Sequence, residues 1–170
     1  MADTRADNRG LGDARTNPKD EFYTQLVDIE AEMNVYLAHN PHIFAGKAVL
    51  CPCDHPEQSN FAHYFRNNFQ RLGLSKLVVT SMTTPEETPG PGHLLVKTQA
   101  GEQRGRLRGD GDFRSPEITA FKHEADVVVN NPPFSLFREF IDWLMKTGTQ
   151  FSVLGNMNAV TGIGAGGPRL

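Results

Sequence analysis

The chain has 170 residues, with 17 Lys and Arg against 20 Asp and Glu, for a formal net charge of −3. Its 38% hydrophobic and 22% charged content is that of a globular protein, which excludes a wholly disordered chain, and no apolar run approaches the ~18 residues of a membrane helix. The slightly acidic balance argues against a nucleic-acid binder that works by bulk charge, but not against an enzyme whose DNA-gripping part lies elsewhere.

Residues 1–18 are polar, balanced in charge and aperiodic, and read as a flexible arm. They lack the apolar stretch of a secretory signal, so a cytoplasmic protein is expected. A core follows over 19–160. Leu26, Ile29, Met33 and Leu37 trace one helix face, with Thr24 as the expected N-cap. Ala48-Val49-Leu50-Cys51 reads as a buried strand that Pro52 ends. Cys51 and Cys53 are expected as free thiols. His55 and His63 follow, but without four-ligand zinc spacing, so no metal is expected.

Phe61, Phe65, Phe69 and Leu72 predict one helix over 59–72, stopped by Gly73. Leu77-Val78-Val79-Thr80 is a second buried strand, and residues 83–92 a loop. Residues 94–98 and 104–107 flank Ala100-Gly101 as a hairpin ending in a third strand. One or two helical turns are expected over 118–123. Val127-Val128-Val129 marks the fourth strand, residues 136–145 a helix, and residues 151–154 the fifth strand.

Continuous apolar strands alternating with amphipathic helices predict an α/β Rossmann-like sandwich, three layers around a mostly parallel sheet. Ligands in such sheets bind beyond the carboxyl ends of the strands. The segments after Cys51, Thr80, Leu107 and Asn130 are therefore expected to line one site.

The sharpest motif is Asn131-Pro132-Pro133-Phe134, directly after the valine strand. Two prolines stiffen the backbone and remove two N–H donors. The Asn131 side-chain oxygen and the Pro132 carbonyl then form an edge of acceptors suited to a planar NH₂ group, with Phe134 as a stacking face. Read as plain structure, the same residues are a strand-ending turn. The stretch Arg104, Arg106, Arg108 and Arg114 reads as a solvated face rather than a phosphate grip.

Together with Leu11-Gly12-Asp13-Ala14-Arg15, Asp20-Glu21-Phe22-Tyr23-Thr24-Gln25, Cys53-Asp54-His55-Pro56, Ser59-Asn60-Phe61 and Gly109-Asp110-Gly111-Asp112-Phe113-Arg114-Ser115, this motif resembles the EcoRI-type adenine-specific DNA methyltransferases. The resemblance runs from about residue 11 to about residue 160. It implies the class I S-adenosylmethionine-dependent methyltransferase fold and site-specific methylation of the exocyclic amine of adenine in DNA. Asn131, Pro132, Pro133 and Phe134 take the catalytic positions. Phe22, Tyr23 and Thr24 pack over S-adenosylmethionine near its methionine end. Asp54 receives its α-ammonium, and Asp112 and Phe113 take its adenine.

As local structure, Asp54 is a helix cap and Asp112 part of a Gly-Asp turn. The usual glycine-rich turn after the first strand is missing, and Thr80-Ser81-Met82 offers no ribose-binding carboxylate. The motif alone also fits an amino-methyltransferase of RNA or of protein glutamine. The implied partners are double-stranded DNA with its target adenine flipped out and, where the system has one, a cognate restriction endonuclease, in a prokaryotic or phage setting. The glycine-rich stretch 161–170 departs from the family pattern. The sheet is thus expected to be incomplete at its C-terminal edge, and the chain alone to act as a cofactor-binding fragment with little turnover.

Overall fold

The computed structural model describes residues 25–130, 132, 134–146 and 150–153. The expected arm over 1–18, Leu154 and the tail over 161–170 lie outside the described residues. Helix α1 (Leu26–His39) buries Ile29 and Met33, with Leu26 and Leu37 packed beside them, as the spacing requires. Its N-cap is Gln25, whose side chain makes no capping bond; Thr24 lies outside the described residues.

Strand β1 (Ala48–Cys51) follows, then α2 (Asn60–Asn67) and the single turn α3 (Phe69–Leu72). The one helix expected over 59–72 is therefore two. Asn68 breaks it at φ −101° and ψ 10°, while its side-chain amide donates to the Tyr64 carbonyl at 2.9 Å. Its backbone N–H donates to the same carbonyl at 3.0 Å, so both groups share one acceptor at the break. Phe61, Phe65, Phe69 and Leu72 nevertheless all face the core. Gly73 closes α3 at φ 69°, in the left-handed region that glycine favours.

Strand β2 (Lys76–Ser81) leads through a loop to β3 (His93–Thr98) and β4 (Gly101–Arg106), joined by Gln99-Ala100 with Thr98 opposite Gly101. The turn thus falls one residue before the expected Ala100-Gly101. Helix α4 (Pro116–Glu124) is longer than the one or two turns expected, because Ser115 caps it and Pro116 opens it. Strand β5 (Val127–Asn130), helix α5 (Phe137–Met145) and strand β6 (Gln150–Val153) complete the described elements.

Among the described residues the sheet has six strands in the order β4-β3-β2-β1-β5-β6, where the sequence led us to expect five. The hairpin accounts for the difference, since both its strands join the sheet. Strands β2, β1, β5 and β6 are parallel neighbours, and the hairpin runs antiparallel beside β2. All six residues of β4 are exposed, and Glu102, Arg104 and Arg106 make it a charged edge, which discourages pairing with another chain.

Successive strand residues feed two cores. Val49, Cys51, Leu77, Val79 and Val129 pack under α1, α2 and α3. Leu50, Val78 and Val128 pack under α4 and α5 with Ile118, Phe140, Trp143 and Leu144. This is the three-layer sandwich the apolar runs imply, each large buried side chain contributing roughly 1.5–3 kcal/mol.

Because β3 is antiparallel to β2, the exit of β4 returns to the carboxyl end of β2. Leu107 N–H donates to the Gly92 carbonyl at 2.8 Å, and Gly92 N–H to the Gly109 carbonyl at 2.8 Å. Gly111, at φ +90°, lies directly on the end of β2, where a Cβ would stand 2.3 Å from the Ser81 carbonyl oxygen. Gly111→Ala should therefore lower stability by at least ~2 kcal/mol in urea unfolding. Gly105→Ala, into open space, should change it by less than ~0.5 kcal/mol.

Candidate active site

The site begins where β1 ends. Cys53 adopts φ 65°, a left-handed conformation that costs a non-glycine residue roughly 1–2 kcal/mol. Here the chain makes, without glycine, the turn for which related sheets use a glycine-rich loop. It brings the Asp54 N–H to the carbonyl of Thr80 at 2.9 Å, tying the turn to the end of β2.

Ser59 serves two elements. Its Oγ accepts from the amides of Phe61 and Ala62 at 3.1 and 3.4 Å, capping α2, while its hydroxyl donates to Asp54 Oδ1 at 2.6 Å. Asp54 is only 5% exposed, and its Oδ2 has no partner. Burial pushes its carboxyl up to about 7, against the opposing pull of the Ser59 hydrogen bond.

The ends of β2 and β5 repeat the pattern. Thr80 Oγ1, Ser81 Oγ and both amide atoms of Asn130 are buried without a hydrogen-bond partner. With Asp54 Oδ2 these are all the unpartnered buried side-chain N and O atoms among the described residues. Every one lies at the carboxyl ends of β2 and β5 or in the turn that leaves β1 between them. A buried polar atom without a partner costs roughly 1–3 kcal/mol, so their concentration at one edge calls for a ligand or ordered water.

The expected segments do converge. Asp112 lies in the loop beyond β4 rather than at the end of that strand. Its carboxylate is held by Arg114, with Nε to Oδ1 at 2.9 Å and Nη2 to Oδ2 at 2.6 Å. The Arg114 contact holds Asp112 below the usual carboxylate range. The Cys53 thiol, pushed up by burial and by Asp54, also feels Asp112, Arg114 and the Asn130 amide, so these groups surround one point. Phe113 is 3% exposed and lies in the second core, its ring 5.1 Å from Phe140 and 5.5 Å from Trp143.

On the rim, His93 stands opposite Ser81 in the sheet, and its ring lies 4.3 Å from that of His55. The arginine stretch is largely self-neutralised: Arg104 pairs with Glu57 and Glu102, Arg106 with Glu87, and Arg114 with Asp112. Pro132 is buried at the exit of β5, and Phe134 opens a helical turn, Phe134–Leu136, leading into α5. Asn131 and Pro133, the Phe134 side chain, and Phe22, Tyr23 and Thr24 lie outside the described residues.

The family described as adenine-specific methyltransferase EcoRI matches residues 10–163. This chain belongs to that family. Among similar family members, the type II methyltransferase M.EcoRI of Escherichia coli is 38% identical over 170 residues, covering 92% of this chain and 51% of that protein. M.MpnI of Mycoplasma pneumoniae is 40% identical over 147 residues, covering 86% and 44% respectively. M.MgeORF184P of Mycoplasma genitalium is 36% identical over 151 residues, covering 87% and 44%. The chain thus spans about half the length of the curated relatives it matches. No solved structure matches it.

Within this family fold, Thr80, Ser81 and Asn130 are polar residues to which reasoning from the sequence gave no role in the site, and Ser59 entered it only within a family motif. Strand alternation after an apolar run was the available signal: it marks the last residues of β2 and β5 as buried polar groups.

Two measurements test the account of Asp54. Ser59→Ala removes the bond that opposes burial, so the Asp54 carboxyl, followed by carbon-detected NMR, should titrate above about 7. The second concerns stability. Unfolded Asp54 ionises near its ordinary 3.8, whereas the folded group keeps its proton up to about 7. The folded state therefore binds the extra proton between these values. Its contribution is greatest at low pH and is lost as pH rises from about 4 to 7. Denaturant unfolding across that range should show this component in the native protein and not in Asp54→Asn.

Proposed function

We propose that this chain binds S-adenosylmethionine along the carboxyl ends of β2, β1 and β5, and forms the core of an enzyme that methylates the exocyclic amine of adenine in DNA. One observation carries the reading: the unpartnered buried polar atoms gather at the strand ends from which Asn131-Pro132-Pro133-Phe134 departs. The residues fit the cofactor. The free oxygen of Asp54 suits an ammonium group, whose charge would favour the ionised carboxylate despite burial. The hydroxyls of Thr80 and Ser81 suit neutral polar contacts. Asp112, although gripped by Arg114, keeps lone pairs for an adenine amine, since a carboxylate offers about four acceptor sites. Phe113 braces that loop from below, and Phe22, Tyr23 and Thr24 pack over the methionine end.

S-adenosylmethionine supplies a methyl group already activated by its positive sulfur. The chain's task is then positioning, since geometry alone can lower a barrier by roughly 7–11 kcal/mol. The Asn131 side-chain oxygen and the Pro132 carbonyl accept the two N–H bonds of the target amine, so that its lone pair faces the methyl carbon. With the cofactor bound, the nitrogen–carbon bond would form as the carbon–sulfur bond breaks, and the amine would then shed one proton. The target adenine must leave the duplex, at a cost of a few kcal/mol, and stacks on Phe134. A prokaryotic cytoplasmic setting with a cognate endonuclease fits this reading; among the described residues no helix is long and apolar enough to cross a membrane.

Cofactor binding and methyl transfer are tested separately. Calorimetry should show S-adenosylmethionine binding, weakened by roughly tenfold in Asp54→Ala, the scale of one charge-assisted hydrogen bond at ~1.5–3 kcal/mol. With labelled cofactor, transferred methyl should appear on N6 of adenine in duplex DNA, and Asn131→Ala should abolish it while leaving cofactor affinity within a few-fold. Binding of a nicotinamide dinucleotide in place of S-adenosylmethionine would remove the reading. Label found in RNA or on glutamine would replace DNA as the substrate.

A further inference from the structure

Asn130 is fully buried at the last position of β5, yet its side-chain amide has neither a donor nor an acceptor partner. Its neighbour, the Cys53 thiol, is a weak hydrogen-bonding group. Leaving such an amide unpaired in a protein interior is costly. Strand alternation sets Asn130 on the sheet face of Val128, and Thr80 on the same face of β2 beyond Val78. The exit of β1, through Pro52, Cys53 and Asp54, passes between them. Asn130 and Asp54 thus approach the same residue, Cys53, from the sheet and from the turn.

This juxtaposition constrains the chemistry. Asp54 Oδ2 is an unpartnered acceptor in position for a cation. In an α-amino acid the carboxylate is joined to the carbon that bears the ammonium. A ligand that places its ammonium on Asp54 therefore needs N–H or O–H donors close by for its carboxylate. Asn130 Nδ2 supplies two N–H bonds with no charge of its own, and the Cys53 sulfur beside it is only a weak competing acceptor. We infer that Asn130 is a cofactor-binding residue that donates to the carboxylate of the cofactor's amino-acid end, so that Asp54 and Asn130 together read the zwitterion. This rests on the proposed binding of S-adenosylmethionine and adds a specificity determinant to it.

The test uses two probes, S-adenosylmethionine and its decarboxylated form, which keeps the sulfonium and the ammonium but lacks the carboxylate. By calorimetry the native protein should prefer the intact cofactor by at least tenfold. Asn130→Asp is nearly isosteric and places a negative charge where the donor was. It should weaken the intact cofactor by at least tenfold while leaving the decarboxylated form unchanged or tighter, so that the preference disappears. Asn130→Ser keeps one donor and should fall between. Retained binding of the decarboxylated form reports that each variant is folded. Equal weakening of both probes would overturn the inference in favour of a structural role, as would an Asn130→Asp variant that keeps the native preference. A native protein that binds neither probe would instead bring down the proposed cofactor itself.

Discussion

The site is organised by the desolvation of one carboxyl group. Asp54 sits at the end of a left-handed turn, is fastened by its backbone to β2, and is satisfied on one oxygen by Ser59. The other oxygen faces no partner, and burial holds the group near neutrality rather than in the ordinary carboxylate range. Such a group is poised to ionise when a cation arrives. The surrounding construction follows: Ser59 couples Asp54 to the cap of α2, and the two cores pack both faces of β1 and β2, between which the turn lies.

The second constraint is steric. Gly92 and Gly111 allow the loop beyond β4 to lie on the end of β2. That contact brings Asp112 and Arg114 around to Cys53 although the hairpin leads the chain to the far edge of the sheet. The Phe113 ring anchors the same loop against Phe140 and Trp143 of α5. Helix α5 in turn follows the segment that begins with Asn131. A single aromatic cluster therefore braces both the loop assigned to the adenine of the cofactor and the helix leading from the loop assigned to the target base.

Much of this was legible in the sequence. The apolar runs at 48–51, 77–80 and 127–129 announce strands buried on both faces, and each alternates between the two cores as a parallel sheet requires. The break at Asn68 was hidden, because Phe61, Phe65, Phe69 and Leu72 keep helical spacing across it. The sixth strand was missed by counting: residues 94–98 and 104–107 read as one hairpin ending in a single third strand, whereas both arms join the sheet, with β4 as an exposed edge held by hairpin register. In the site, Asp54 was picked out by the family resemblance of Cys53-Asp54-His55-Pro56, its local reading being only a helix cap. Asn130, Thr80 and Ser81 were not, since a neutral polar residue at a strand end reads as surface until the packing shows that no water reaches it.

The claim on which the account depends is that cofactor binding ionises Asp54. Isothermal titration of S-adenosylmethionine at pH 6, in buffers of different ionisation enthalpy, counts the protons exchanged. The account predicts release of about one proton per cofactor bound, falling toward zero above pH 8 and absent in Asp54→Asn. Binding of normal affinity with no proton released at pH 6, unchanged by Asp54→Asn, would contradict it.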